Sequence, residues 1–143
     1  MAAGSITLKI IRLAMGGLFV FSGLAKIAHP DVFRASIAAY HILPASLEIP
    51  CAWFIPVLEL LCGLALMAGF WVRGGTLVLQ LLLAIFTLAL GSAWARGLDV
   101  RCGCFGAWLE FGSYPWLIGR NVFLAYLARL IFRGLEVAGK RSL

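Results

Sequence analysis

From Gly74 to Ala95 the chain carries no charged side chain and is dominated by leucine, with Gln80 as its only strongly polar residue. A bilayer core about 30 Å thick takes roughly 20 helical residues to cross, so this stretch alone reads as a membrane span. Composition points the same way. Hydrophobic residues make up 63% of the chain, DEKR only 13%, and the mean hydropathy is +1.01. So few charges cannot cover a small globule with polar surface, which argues against a soluble enzyme, a disordered chain and a nucleic-acid-binding module.

Three further stretches reach spanning length: about 10–28, 50–72 and, the weakest, 113–132. The last contains Arg120 and Arg129, but its Tyr114, Trp116 and Tyr126, with the flanking arginines, suit membrane interfaces. The sequence thus predicts an all-α fold, an integral membrane four-helix bundle forming a single membrane domain over 1–143. The first stretch is read as a retained helix and not a cleaved signal peptide, because Lys26 interrupts the cleavage region and no small-x-small site follows.

Of the twelve basic residues, seven (Lys9, Arg12, Arg73, Arg129, Arg133, Lys140, Arg141) fall on one side of such a bundle and five (Lys26, Arg34, Arg96, Arg101, Arg120) on the other. The bias favours a bacterial inner-membrane protein with both termini cytoplasmic, and with loops 29–49 and 96–112 facing outward. In the first of these loops Asp31 is expected to cap a short interfacial helix in which Val32, Phe33, Ile37 and Tyr40 share a side, ending before Pro44.

Chemistry is concentrated in the second outward loop, at Arg101-Cys102-Gly103-Cys104-Phe105-Gly106. Two thiols one residue apart in an outward loop can form a disulfide, exchange one or bind a soft metal. A bridge across one residue closes a strained, easily reduced ring. Gly103 relieves part of that strain and Arg101 favours the reactive thiolate. Cys51 stands at the outer end of its span, within reach of the pair, whereas Cys62 lies deeper and reads as a packing residue. The alternative is that Cys102 and Cys104 form a static staple or remain two small loop residues, with Cys51 a buried interfacial thiol.

Charges inside the spans form a second group. Arg12, Gly16, Phe19, Gly23 and Lys26 recur at alternating steps of four and three, one helical stripe on which glycines allow close approach. Glu59 and Gly63 make a similar face on the second span. Antiparallel packing of the two would bring Lys26 toward Glu59, as a structural tie or as a site for a proton or ligand. Arg120 and Asn121 could line the same polar region, although Arg120 also suits snorkelling. His29 and His41 lack the spacing of metal or haem ligands, and no metal site is expected.

The order of these elements, Arg12-x3-Gly16-x2-Phe19-x3-Gly23-x2-Lys26, Pro30-x2-Phe33, Tyr40-x3-Pro44, Pro56-x2-Glu59-x3-Gly63 and Cys102-Gly-Cys-Phe-Gly106, resembles the MauE branch of the DoxX-like membrane proteins over about residues 9–130. The resemblance implies a four-helix inner-membrane protein tied to thiol–disulfide chemistry. It also implies a periplasmic thioredoxin-like partner and, as client, the disulfide-rich small subunit of methylamine dehydrogenase. DoxX-like relatives imply instead quinone-linked sulfur oxidation or membrane redox complexes. On this reading Cys102 and Cys104 cycle between dithiol and disulfide. Electrons continue either to a quinone docked near Glu59 and Lys26 or through Cys51 as an intermediate thiol. The competing expectations are a soft-metal binding or transport module built on the same thiolates and a non-catalytic assembly subunit.

Overall fold

The structure, a computed structural model, describes residues 2–98 and 114–140. Its regular structure among these residues is all helix, in five elements: α1 (Ala2–Ala28), α2 (Pro30–Ala39), α3 (Ala45–Ala68), α4 (Val72–Ala95) and α5 (Tyr114–Lys140). Within α1 the segment Ile6–Ala28, together with α3 and α4, is long and apolar enough to cross a membrane. α5 has the length but carries Arg120, Arg129 and Arg133. Many large apolar side chains face outward on these helices, among them Phe54, Leu81, Leu88 and Trp116. Such a surface suits lipid, where hydrocarbon replaces water around it.

The helix boundaries follow local chemistry, and in places they depart from the spans read off the sequence. α3 begins five residues before position 50, with both Pro50 and Pro56 inside it. Proline usually argues for a helix start, yet in a membrane helix neighbouring segments re-satisfy the freed backbone groups. The break between α3 and α4 falls at 69–71. There Gly69 adopts φ +78, and the N–H groups of Gly69 and Phe70 return to the carbonyls of Leu66 (3.3 Å) and Ala65 (3.1 Å). This paired closure satisfies two carbonyls that the helix end would leave bare. Gly97, at φ +64, ends α4 the same way, with Leu98 N–H on Ala93 and Gly97 N–H on Trp94, both at 3.0 Å.

α2 forms where the first loop predicted a short helix, with one correction to its cap. His29 occupies the cap without a side-chain bond, Pro30 takes the first helical position and Asp31 falls in the first turn. Proline is favoured there because the missing N–H has no partner at that position in any case. Phe33, Ile37 and Tyr40 are buried, while Val32 is 44% exposed and does not share their side. One residue is a rotation of about 100°, enough to carry Val32 off a stripe running in steps of four and three.

α1 packs most extensively on α3, and α4 on α5; α3 also meets α2 and α4. α1 and α3 run antiparallel, with Gly16 against Gly63 and Met67, and Gly23 against Pro56 and Leu60. A Cβ on Gly63 would stand 2.8 Å from the Gly16 carbonyl oxygen, and one on Gly23 would stand 2.8 Å from that of Pro56. The backbones therefore touch along this seam, as the glycine stripe predicts. One end of the bundle gathers α2, the start of α3, the ends of α1 and α4 and the start of α5. It is called the Cys51 end below.

Candidate functional site

The α1–α3 seam holds the centre of the molecule. Lys26 Nζ donates to both oxygens of Glu59, at 2.7 Å to Oε1 and 2.6 Å to Oε2, and the Ser22 hydroxyl donates to Oε2 at 3.1 Å. Lys26 is 1% and Glu59 2% exposed. The ammonium also lies 5.0 Å from the Phe33 ring centroid and 5.2 Å from that of Phe86. One contact comes from α2 and the other from α4, so the lysine joins four helices. A charge this deep is tolerable only when it is paired and hydrogen-bonded, and phenyl faces add attraction where water is excluded.

The antiparallel register therefore brings Lys26 to Glu59, as the sequence stripe implies. Ser22 and the two phenyl rings are new members of the group. Ser22 had a signal, since it precedes Lys26 by four residues and borders the glycine stripe. Phe86 had none, being one large apolar residue among many in α4. Asn121 is 1% exposed, and its Nδ2 has no hydrogen-bond partner among the described residues. Gly134 of α5 abuts Leu8 of α1. Counting back about 20 Å along both antiparallel helices sets Asn121 level with the Ser22 turn. Arg120, beside it, is half-buried.

Cys51 is partly buried in the second turn of α3 and packs on the cluster formed by Phe33, Ile37 and Ala52. Cys62 is 3% exposed within the main core, as a packing residue should be. Cys102 and Cys104, with Arg101, lie outside the described residues. The two ends of their loop are nevertheless placed. The Tyr114 hydroxyl donates to the Leu98 carbonyl, and the Tyr114 ring stacks on Trp94 with centroids 6.2 Å apart and planes 7° apart. The Arg96 guanidinium donates to the Tyr40 carbonyl, which joins the end of α4 to the end of α2. Arg34 and Glu48, 3.5 Å apart, tie α2 to the first turn of α3. Leu98 and Tyr114, the residues that flank 99–113, thus both stand at the Cys51 end. His29 and His41 are exposed there too, and among the described residues no three His, Cys, Asp or Glu side chains cluster as a metal site would need.

A sequence profile described as Methylamine utilisation protein MauE matches residues 4–133. The chain belongs to the MauE family. It is also 29% identical over 139 residues to the methylamine utilization protein MauE of Paracoccus denitrificans, an alignment covering 96% of this chain and 75% of that relative. No solved structure matches. Family membership accounts for the apolar spanning helices: this is a MauE-family membrane protein linked to methylamine utilisation. The matched segment contains the Lys26–Glu59 seam, Cys51 and the Cys102-Gly103-Cys104 loop.

Proposed function

We propose that this MauE-family protein is a four-span inner-membrane thiol–disulfide relay, with α2 lying at the outer interface and both termini cytoplasmic. The observation that carries this reading is the convergence at the Cys51 end. Both stems of the loop bearing Cys102 and Cys104 are pinned beside the α2–α3 corner, where Cys51 sits partly buried. A thiol at Cys51, beside the stems of a segment that carries two more in its sequence, suits exchange. In the forward step a thiolate of a periplasmic thioredoxin-like partner attacks the Cys102–Cys104 disulfide and forms a mixed disulfide. The partner's second thiolate then resolves it, leaving Cys102 and Cys104 as a dithiol and the partner oxidised. The client proposed is a disulfide-rich protein of methylamine utilisation, such as methylamine dehydrogenase.

Cys51 is the nearer exchange partner: its thiolate can attack the Cys102–Cys104 disulfide, forming a mixed disulfide and freeing one thiol, while net re-oxidation of the dithiol needs a two-electron oxidant from outside this chain. A quinone held by Lys26 or Glu59 would have to break an ion pair in which both carboxylate oxygens already accept from the ammonium and two phenyl rings flank it. The pair fits a tie between helices better than a cofactor headgroup, and no step is assigned to a quinone.

The test is to replace Cys102 and Cys104 together by serine and follow the thiol state of the client and of the partner in membranes. Reduced client should accumulate, and the wild-type pair should titrate reversibly above about −250 mV. Unchanged client oxidation in the double variant would overturn the relay. A bridge resisting reduction below about −300 mV would mean a structural staple.

A further inference from the structure

A cavity of about 140 Å³ opens between α2, α3 and α4 at the Cys51 end. Phe33, Ile37 and Tyr40 of α2, Ile55 of α3, and Phe86 and Ala89 of α4 form its walls. Ile42, Leu43 and Ile85, which are 38–51% exposed, form its mouth toward the lipid-facing surface. We propose that it is a binding site for a single uncharged six-membered unsaturated ring, delivered from the bilayer. The proposal is independent of the thiol relay, since no cysteine lines the cavity.

Three features select that ligand. Volume comes first: a void of about 150 Å³ lined by leucine, isoleucine and phenylalanine is large enough to hold a benzene ring. Shape comes second. On α4 the lining runs from Ile85 to Ala89, a single turn and about 6 Å. Along α2 it runs from Phe33 to Tyr40, about 10 Å. A space this short and broad suits a flat ring better than an extended acyl chain. Lining chemistry comes third. The walls include three aromatic rings, and Phe33 and Phe86 stand 6.5 Å apart, tilted at 59°, an aromatic contact that a third ring can extend. The Ser36 hydroxyl at the wall is turned to the Val32 carbonyl at 3.0 Å. The ligand is therefore gripped by shape and aromatic contact, which excludes a charged or strongly polar head.

The position also gives the site a consequence. Phe33 and Phe86 line the cavity and also flank the Lys26 ammonium. A ring seated against them borders the wall that keeps the Lys26–Glu59 pair dry, without touching either charge.

The experiment uses the full chain in lipid nanodiscs, with a trifluoromethylphenyl diazirine as photoprobe and labelled residues mapped by mass spectrometry. Labelling of Phe33, Ile37 and Phe86 should saturate and be displaced by toluene, while labelling of the lipid-facing Leu81 and Leu88 should rise linearly and resist displacement. Ala89→Phe should cut cavity labelling about tenfold, equivalent to 1.4 kcal/mol of binding, and leave Leu81 and Leu88 unchanged. Ala89→Leu, a smaller filling, should give an intermediate loss, and it serves as the filling variant if the phenylalanine variant fails to fold. Linear labelling in the cavity, insensitive to filling, would overturn the proposal. Equal displacement by hexadecane would overturn it too, by assigning the space to an acyl chain.

Discussion

The two sides of Lys26 are built on opposite packing rules. Toward α3, glycines let the backbones of α1 and α3 touch, with carbonyl oxygens 2.8 Å from where a Cβ would stand. Toward α2 and α4, large side chains meet and leave a ring-sized space. Small residues can close a helix pair completely, because backbone is the one surface whose shape does not depend on rotamers. Branched and aromatic residues fill volume only where their shapes interlock, and three helices meeting at a corner rarely allow that. The seam is where a charge pair can be held dry, and the corner is where a ligand can enter.

The largest effect that tests this contrast is at the seam. Glu59→Gln leaves the Lys26 ammonium buried without its counter-charge and should cost about 3–5 kcal/mol, read from unfolding in detergent. Replacing both residues by methionine should cost much less, since it removes the desolvation of both charges together. A double variant as unstable as the single would show that the seam depends on the charges and not on packing. Gly63→Val comes next. Its side chain meets the Gly16 carbonyl and the Val20 amide nitrogen within 3 Å, and forcing the helices apart should cost about 1–3 kcal/mol and lower the yield of folded protein.

At the boundary between the two regions, Phe33→Leu removes one aromatic face from the ammonium and should cost about 0.5–2 kcal/mol. That cost should shrink in the double-methionine background. An undiminished loss there would assign Phe33 to plain packing, because a double-mutant cycle isolates the coupling. The smallest effect belongs to the corner. Ala89→Val should change stability by less than about 1 kcal/mol, measured by the same unfolding assay, because the added methyls enter existing space. A loss of several kcal/mol would mean that the space is not available to a ligand either.

Much of the seam was legible in advance. Steps of four and three from Arg12 to Lys26, and of three and four from Pro56 through Glu59 to Gly63, define helical faces whatever surrounds them. A direct connection between consecutive spans makes antiparallel contact the simplest arrangement. Ser22 escaped because one hydroxyl beside a glycine stripe is common and acquires meaning only from the carboxylate opposite. The roles of Phe33 and Phe86 were hidden for a stronger reason: their sequence separation carries no periodicity, and only the crossing of α2 over the bundle brings both to one ammonium. The boundaries of α3 misled through Pro50, because the usual conflict between proline and helix is relaxed inside a membrane bundle.

The sequence by itself determined the medium, the helices and the residues that must be paired. Apolar length, helical periodicity and the cost of an isolated charge in hydrocarbon are all properties of a chain read along one dimension. Tertiary structure alone decided which rings cover Lys26, that Arg96 reaches the Tyr40 carbonyl and Tyr114 the Leu98 carbonyl, and that a cavity lies between α2, α3 and α4. Those outcomes depend on how three or more helices meet, and packing among three bodies is fixed by crossing geometry and side-chain shape, neither of which is written in the order of residues along any one helix.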